Sequence, residues 1–312
     1  MPAAQLIPVG AGALAALLHL SVTAGSSGAF MLAYFAQLPI AATGLGLGLM
    51  PAAVAAAVAS VIVALASPGS GALTLFLLIT ALPVLLVVYF VLRQRPVEDG
   101  TTVWYPVGRI LGWLTGLGLA GIAVALVVFA GSEGGLQGAV ERYLQSFLQV
   151  FQTEQSSAVD TAIRSMSRIF PGAAATSWIL MTSINCVLAQ HLLSLSGRNI
   201  RPKPPYRQLE VVLWPLPVAA LAAAATFSGG FPGFVGINVL IVALVPFFFI
   251  GMAVLHSISA AWPGRPLLLA GVYVFLVLLL WPAAFVALLG IAENWIRLRD
   301  RFAASRTKKG ND

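Results

Sequence analysis

Charged side chains are scarce in this chain. Only 9% of its 312 residues are Asp, Glu, Lys or Arg, whereas 59% are hydrophobic. Soluble globular domains carry roughly a quarter charged residues. A water-exposed surface with so little charge would present apolar patches far larger than soluble monomers tolerate. The composition therefore excludes a water-soluble fold and predicts that the lipid bilayer is the solvent of this protein.

Cysteine and the common catalytic motifs are also rare. Cys186 is the single cysteine and lies within an apolar stretch, which excludes an intrachain disulfide framework and a cysteine-based zinc cluster. The sequence contains no P-loop, no dinucleotide-binding glycine motif and no His-Glu-x-x-His pair. We therefore expect no cofactor, no metal site and no ATP-driven chemistry within this chain alone, and we do not predict an enzyme.

Long apolar stretches are abundant, and they lack the polar alternation of β-barrel strands. Nine of them approach the length that crosses a membrane as a helix, about 20 residues. They cover 6–24, 28–49, 51–67, 71–92, 107–131, 171–195, 210–228, 234–258 and 267–294. The predicted fold is an all-α, polytopic integral membrane helix bundle with eight or nine transmembrane helices, forming a single membrane domain over 1–312. No basic region precedes 6–24, so we interpret it as a retained helix rather than a signal peptide.

One sizeable polar stretch, 132–170, interrupts the apolar pattern. Apolar residues recur in it at spacings of three and four, which is typical of amphipathic helices. Its acidic and basic residues nearly balance, unlike those of a helix that binds an anionic membrane surface. We predict an amphipathic helical insertion of two helices, lying either as a cap on the bundle or half in the membrane interface.

Lys and Arg are grouped in three clusters beside apolar stretches. The clusters are Arg93 and Arg95; Arg198, Arg201, Lys203 and Arg207; and Arg297, Arg299, Arg301, Arg306, Lys308 and Lys309. Under the positive-inside rule all three are cytoplasmic, so the formal net charge of +7 indicates topology and predicts no nucleic-acid partner. We expect the basic tail, 297–312, to be disordered. Three candidate helices separate the last two clusters, which conflicts with this rule unless one segment fails to cross or 267–294 breaks at Trp281-Pro282.

Small residues and a few polar side chains within the apolar stretches are the candidates for function. Glycine and alanine crowd 44–59, which predicts close helix packing or, alternatively, a glycine-lined ligand path. Polar groups inside a membrane are costly and often functional. The candidate ligand-binding residues, expected around a polar cavity near the midplane, are His19, Tyr34, Gln37 and Asn238. Structural hydrogen bonding between helices is the alternative, and it is the role that we predict for Asn185 and Gln190.

The end of the last apolar stretch is a second candidate site. Glu293, Trp295, Arg297 and Arg299 are the candidate residues for docking a cytoplasmic or membrane protein partner. The alternative is a helix-end anchor, in which the tryptophan and the arginines hold the membrane interface. In either case we expect Glu293 to pair with Arg297 across one helical turn and to stabilise the helix by a few tenths of a kcal/mol.

Three segments resemble one known family. They are Gln37-Leu-Pro-Ile-Ala-Ala-Thr-Gly-Leu-Gly-Leu-Gly48, Gly251-Met-Ala-Val-Leu-His256 and Leu288-Leu-Gly-Ile-Ala-Glu-Asn-Trp-Ile-Arg-Leu-Arg299. Together they are similar to the YybS-like family of uncharacterised bacterial membrane proteins, over nearly the whole chain. Gly290, Trp295 and Arg299 fit its closing pattern, whereas Glu293 stands where Asp is usual and Leu298 replaces an aromatic residue. The resemblance implies a multi-pass protein of the bacterial cytoplasmic (inner) membrane.

The resemblance leaves two functional hypotheses open. The first four apolar stretches are similar in style to the substrate-binding subunits of energy-coupling-factor vitamin transporters, which implies a transport-type component that binds a small molecule and needs an ATPase partner. The alternative is a non-transporting scaffold for cell-envelope or division proteins. The segment Gly25-Ser-Ser-Gly-Ala29 is also similar to the nucleophile site of rhomboid proteases, but here it comes early in the chain, and a helix-ending turn explains it better.

Overall fold

The computed structural model describes residues 2–69, 71–96, 102–150, 156–210 and 212–302, and this part of the chain is almost entirely helical. The α-helices are α1 (Pro2–Leu20), α2 (Ser27–Ala33), α3 (Leu38–Leu47), α4 (Leu49–Ala66), α5 (Ala72–Leu75), α6 (Leu82–Val91), α7 (Val107–Val128), α8 (Gly135–Val150), α9 (Ser157–Leu195), α10 (Pro215–Thr226), α11 (Gly230–Ala243), α12 (Val245–Ile258), α13 (Arg265–Leu279) and α14 (Pro282–Ile296). The strands β1 (Gln94–Pro96) and β2 (Thr102–Trp104) form a small antiparallel pair that the sequence did not predict. The predicted all-α class is confirmed.

Seven helices in the described part of the chain are long and apolar enough to cross a membrane. They are Leu6–Thr23, Gly28–Leu47, Leu49–Ala66, Ala72–Val91, Val107–Val128, Ser157–Leu195 and Gly230–Ile258. By length and composition, the predicted polytopic membrane bundle is confirmed. The predicted crossings at 210–228 and 267–294 consist instead of α10, α13 and α14, with 12, 15 and 15 residues. These helices reach only about 18–23 Å at 1.5 Å per residue, which accounts for the difference from the predicted eight or nine.

Prolines mark the points at which apolar stretches are interrupted. One lies in the first two positions of α3, α6, α12, α13 and α14, where a missing amide hydrogen costs least. Between α13 and Pro282 the backbone of Leu280 turns to a φ of 54°. The break considered at Trp281-Pro282 is therefore confirmed, and 267–294 is a bent pair of helices.

The chain divides into two compact units. Unit 1 comprises Met1–Ile110 and Trp178–Pro204, and unit 2 comprises Leu111–Ser177 and Pro205–Asp312. In unit 1 small residues bring α1, α3 and α4 together. A Cβ on Gly12 would collide with the backbone of Ala55. The close packing predicted from the small residues is confirmed.

In unit 2 the amphipathic helix α8 packs against α9 and α11. The buried side chains that join these helices are Leu136, Val140, Leu144, Ile163 and Phe234. The Ser167 hydroxyl of α9 also donates a hydrogen bond to the carboxylate of Glu141 in α8 at 3.0 Å. The first half of the predicted insertion is therefore a helix packed on unit 2, while the part at 151–155 lies outside the described residues.

The second half of the predicted insertion is not a separate helix. Residues 157–195 form one α-helix of 39 residues with Pro171 inside it, so the helix boundary expected near residue 170 is wrong. The Asn238 amide of α11 bridges the groups on either side of this proline. Its Nδ2 donates to the Arg168 carbonyl oxygen at 2.9 Å, and its Oδ1 accepts from the Gly172 amide at 2.7 Å. This side chain thus supplies backbone partners where a proline weakens the helix.

In each unit, an arginine of one basic cluster bonds to the backbone at or beside another basic cluster. In unit 1 the buried Arg201 guanidinium donates to the carbonyl oxygens of Val91 (3.2 Å) and Tyr105 (3.0 Å), on either side of the hairpin that contains the first cluster. In unit 2 the Arg299 guanidinium donates to the Arg207 carbonyl oxygen at 2.8 Å. These contacts agree with clusters that share one side of the membrane. The cytoplasmic side itself stays a prediction.

Helices α12 and α14 pack backbone to backbone in unit 2. A Cβ on Gly251 would collide with the Val286 carbonyl oxygen, and one on Gly290 would collide with the Phe247 carbonyl oxygen. As the chain advances along α12 its partner in α14 moves backwards, so the two helices are antiparallel. Only glycine allows the two backbones to approach so closely. The close approach gives the helices van der Waals contact, which stabilises their association in lipid, where the hydrophobic effect does not.

We expect Gly290→Ala to lower the melting temperature of the detergent-purified protein, because its Cβ cannot fit against the Phe247 backbone. Gly271→Ala in α13 is the matched control, since nothing lies within 4 Å of a Cβ there. Helix propensity alone favours alanine over glycine by about 1 kcal/mol, so the control should be unchanged or more stable. Equal melting temperatures for the two variants would contradict the packing described for α12 and α14.

Candidate functional site

Residues 34–37 interrupt a candidate membrane span at its middle. Gly28–Leu47 is long and apolar enough to cross a membrane, yet α2 ends at Ala33 and α3 begins at Leu38. Between them, amides bond to carbonyls three residues earlier, rather than the four of an α-helix. We call this segment the 34–37 break. In transporters, discontinuous helices of this kind form binding sites near the midplane, because unwound backbone carbonyls become available to a ligand.

A second candidate span is distorted where it meets the break. Residues Phe76–Ala81 are π-helical. Pro83 follows Ile79 by four residues and cannot supply the amide hydrogen that the Ile79 carbonyl would receive in an α-helix. Two side chains supply hydrogens instead, Gln37 Nε2 at 2.8 Å and Trp178 Nε1 at 2.9 Å. The Ile79 carbonyl therefore ties the 34–37 break and α9 to the π-helical segment.

One face of α9 continues this set of contacts. Trp178, Thr182 and Asn185 are four and three residues apart and so lie on one side of the helix. Asn185 Nδ2 donates to the Tyr34 carbonyl oxygen within the break at 2.8 Å. Because Trp178 reaches the π-helical segment and Asn185 reaches the break, Thr182 between them faces the same region.

Three buried oxygen atoms in this region have no hydrogen-bond partner among the described residues. They are Gln37 Oε1, Thr182 Oγ1 and Asn185 Oδ1, on residues that are 0%, 0% and 2% exposed. We call them the acceptor cluster. Leaving a buried polar group unpaired costs about 1–3 kcal/mol. Such groups in a folded protein point to a water, an ion or a ligand that completes them.

The orientation of the two amides in the acceptor cluster is fixed by their neighbours. Gln37 faces the Ile79 carbonyl, and Asn185 faces the carbonyls of Tyr34 and Met181, both at 2.8 Å. A carbonyl oxygen only accepts hydrogen bonds, so the NH₂ end of each amide must point toward it. The free end of each amide is therefore its oxygen.

Two of the four predicted ligand-binding residues belong to the break, and a third contacts the π-helical segment. Gln37 contributes its side chain. Tyr34 contributes its main-chain carbonyl, while its side chain is 50% exposed. The His19 ring packs edge-on against Phe76, the first residue of the π-helical segment, with 5.0 Å between ring centroids. The polar cavity that they were expected to line stays a prediction.

Asn238, the fourth predicted ligand-binding residue, belongs to unit 2 and is 1% exposed. Besides its bonds to Arg168 and Gly172, its Nδ2 donates to the Phe234 carbonyl oxygen at 2.7 Å. Both ends of the amide are thus occupied by backbone groups. This geometry supports the structural alternative for Asn238, a hydrogen-bonding link between α9 and α11.

Two of the predicted docking residues, Glu293 and Arg299, bond to each other at the end of α14. We call the Glu293 carboxylate and its partners the clamp. Glu293 is 5% exposed. Its carboxylate accepts hydrogen bonds from the Leu298 amide at 2.7 Å and from Arg299 Nε at 2.8 Å. The backbone of Arg297 has a φ of 51°, which turns the chain back toward the carboxylate. The expected pairing of Glu293 with Arg297 is therefore wrong, because Arg299 takes that place.

Two of the four predicted docking residues stay on the surface. Trp295 is 66% exposed, and Arg297 is also exposed. Partner docking stays a prediction for this region, and it falls mainly on these two side chains. Residues 303–312 of the basic tail, predicted to be disordered, lie outside the described residues.

Sequence reasoning missed Trp178 and Thr182. The signal that could have found them is the spacing of four and three residues that places them on one helix face with Asn185. A second signal is Pro83, which deprives the carbonyl four residues earlier of its helical partner. The interhelical hydrogen bonding predicted for Asn185 is confirmed by its bond to the Tyr34 carbonyl.

The acceptor cluster has the chemistry of a binding site. Its side chains are two amides and one hydroxyl, all neutral, and their unused atoms can accept hydrogen bonds or contact a cation. In the described part of the chain, no group of three or more His, Cys, Asp or Glu residues is placed to hold a metal ion. Any ion at this site would therefore be held by neutral oxygens.

For the clamp at the end of α14, we expect Glu293→Gln to destabilise the protein by about 2 kcal/mol, because the Arg299 guanidinium and the Leu298 amide lose a charged acceptor. Thermal unfolding in detergent measures the change. Trp295→Ala is the control, since an exposed residue outside the clamp should change stability by no more than about 0.5 kcal/mol. A Glu293→Gln protein as stable as the native chain would show that the clamp contributes nothing.

Comparison with known proteins gives one family. The sequence model of that family, described as "Predicted membrane protein (DUF2232)", matches residues 13–293. The matched range includes the 34–37 break, the π-helical segment and the acceptor cluster, and it ends at Glu293. No curated protein and no solved structure matches the chain.

Proposed function

The chain belongs to this family of predicted membrane proteins, DUF2232, and we propose that it is a transport-type component that binds a small molecule within the membrane. The observation that carries the proposal is the acceptor cluster at the 34–37 break. A helix bundle that only had to pack would gain by pairing or removing these oxygens, because unpaired buried acceptors destabilise it. A binding site near the middle of a span explains why they are kept.

The interruption of two neighbouring candidate spans adds support. Both the 34–37 break and the π-helical segment Phe76–Ala81 depart from regular α-helix where their side chains and carbonyls meet. π-Helical segments are rare and occur frequently at functional sites. Their side-by-side position favours a site that a ligand completes.

The finer placement of the protein is also part of the proposal. We place it in the bacterial cytoplasmic membrane and with the YybS-like proteins, on the three segments that resemble that family. The similarity in style to energy-coupling-factor substrate-binding subunits fits a chain without a nucleotide-binding motif. Such a chain would take its energy from an ATPase partner.

A scaffold role is the second candidate function. The exposed Trp295 and Arg297 at the end of α14 favour it, because aromatic residues and arginine are enriched at protein interfaces. Glu293 and Arg299 add less support, since they bond to each other within the chain. A scaffold of cell-envelope or division proteins needs no water-accessible site within the bundle, and this difference separates the two proposals.

Cysteine accessibility tests the proposed function without knowledge of the substrate. In a Cys186→Ser background, Thr182→Cys places one thiol in the acceptor cluster. A transport-type component opens its site to water on at least one side of the membrane. We therefore expect a small, water-soluble methanethiosulfonate to modify Thr182→Cys in membrane vesicles.

Val63→Cys in α4 is the matched control, because Val63 is also 0% exposed but lies outside the acceptor cluster. It should stay unmodified under the same conditions. If Thr182→Cys is as inert as Val63→Cys when reagent is present on both sides of the membrane, the site is closed to water and the transport proposal fails.

A further inference from the structure

We infer that the acceptor cluster formed by Gln37, Thr182 and Asn185 is a binding site for a dehydrated monovalent metal cation such as Na⁺ or K⁺. The inference rests on the proposed function and deepens it, because it names the chemical class of one ligand of that site. It rests on the hydrogen bonds of the amide nitrogens, on the oxygens that have no partner, and on the absence of charge on the side chains of the cluster.

The nitrogen end of each amide in the cluster is held by backbone carbonyls. Gln37 Nε2 and Trp178 Nε1 both bond to the Ile79 carbonyl. Asn185 Nδ2 uses its two hydrogens on the Tyr34 and Met181 carbonyls. The two amides are thus polarised with their nitrogens held by backbone and their oxygens left over. The unpartnered atoms are oxygens, and the two amide oxygens can only accept, so the site favours positive charge or a hydrogen-bond donor.

The neutral character of the oxygens indicates a monovalent ion. Divalent ions such as Ca²⁺ and Mg²⁺ are bound in proteins largely through Asp and Glu carboxylates. The cluster contains amide and hydroxyl oxygens and no carboxylate. Neutral oxygens replace the hydration shell of K⁺ in channel filters, and unwound backbone and half-helix ends hold Na⁺ in transporters. The acceptor cluster resembles both kinds of site, because its oxygens are neutral and it lies beside the interrupted helix at the 34–37 break.

Water is the competing occupant of the cluster. One water molecule could donate to Gln37 Oε1 and Asn185 Oδ1 and accept from the Thr182 hydroxyl. The local dipoles favour a cation instead, because backbone carbonyls hold the NH₂ ends of Gln37 and Asn185 and leave the negative, oxygen ends of both amides free. The residues that form these hydrogen bonds include no Lys, Arg or His to oppose it. A cation and a water differ in one measurable respect, which is the dependence of stability on the salt present.

The test is thermal unfolding of the purified full chain in detergent at constant ionic strength. Chloride salts of Na⁺, K⁺ and Li⁺ are each compared with N-methylglucamine chloride, whose cation is too large for the cluster. We expect at least one metal cation to raise the melting temperature, by roughly 5 °C at a concentration a hundredfold above its dissociation constant. Equal melting temperatures in all four salts would overturn the inference and would be the result for a water-filled cluster.

Variants of Thr182 then locate the cation. Thr182→Val removes one oxygen of the cluster and no hydrogen bond found among the described residues, so the protein should fold normally and lose most of the cation-dependent shift. Thr182→Ser restores the oxygen and should restore the shift. Thr115→Val in α7 is the control: it removes another fully buried hydroxyl, which bonds to the Leu111 carbonyl, and should keep the shift.

A cation-dependent shift that survives in Thr182→Val would place the ion elsewhere and overturn the assignment. This test and the accessibility of Thr182→Cys can fail separately. A water-accessible thiol without any cation effect leaves the proposed function standing and removes the cation. A cation effect with an inaccessible thiol supports the bound ion and removes the transport proposal.

Discussion

Backbone amides and carbonyls inside hydrocarbon need partners within the protein, and this constraint explains most polar side chains in the candidate spans. Prolines and helix breaks leave carbonyls without their usual donors, and side chains take over. Gln37 and Trp178 bond to the Ile79 carbonyl, and Asn185 bonds to the Tyr34 carbonyl. In unit 2, Asn238 does the same on either side of a proline. Polar residues that seemed candidates for ligand binding are first of all backbone partners.

The same constraint separates the acceptor cluster from Asn238 and Glu293. Asn238 has both ends of its amide occupied, and the Glu293 carboxylate is shared between an amide and a guanidinium. Gln37 and Asn185 use only their NH₂ ends, because the groups they complete are carbonyls. Their oxygens are left over by the geometry of the break. A site for a cation can thus arise from the requirement to pair the backbone, without any charged residue.

The fold was largely predictable because its causes are visible in the sequence. Apolar stretches of sufficient length and scarce charge predict the helices, and the Trp281-Pro282 break follows from proline chemistry. The continuity of α9 through Pro171 was not predictable, because it depends on an asparagine about 70 residues later in the chain. At the site, Gln37 and His19 were identifiable as polar residues in apolar surroundings. Thr182 was not, because a threonine in a helix ordinarily bonds to its own backbone.

The most direct test of this account is the state of the Ile79 carbonyl. Ile79-Thr80 is the single Ile-Thr pair in the sequence, so carbonyl-¹³C isoleucine combined with ¹⁵N threonine gives one selected resonance for the protein in lipid. We predict that Gln37→Leu and Trp178→Phe each shift this resonance, because each removes one of two hydrogen bonds. Gln137→Leu in α8 should leave it unchanged. An Ile79 resonance that is the same in the native chain and in both site variants would contradict the claim that side chains complete the interrupted backbone.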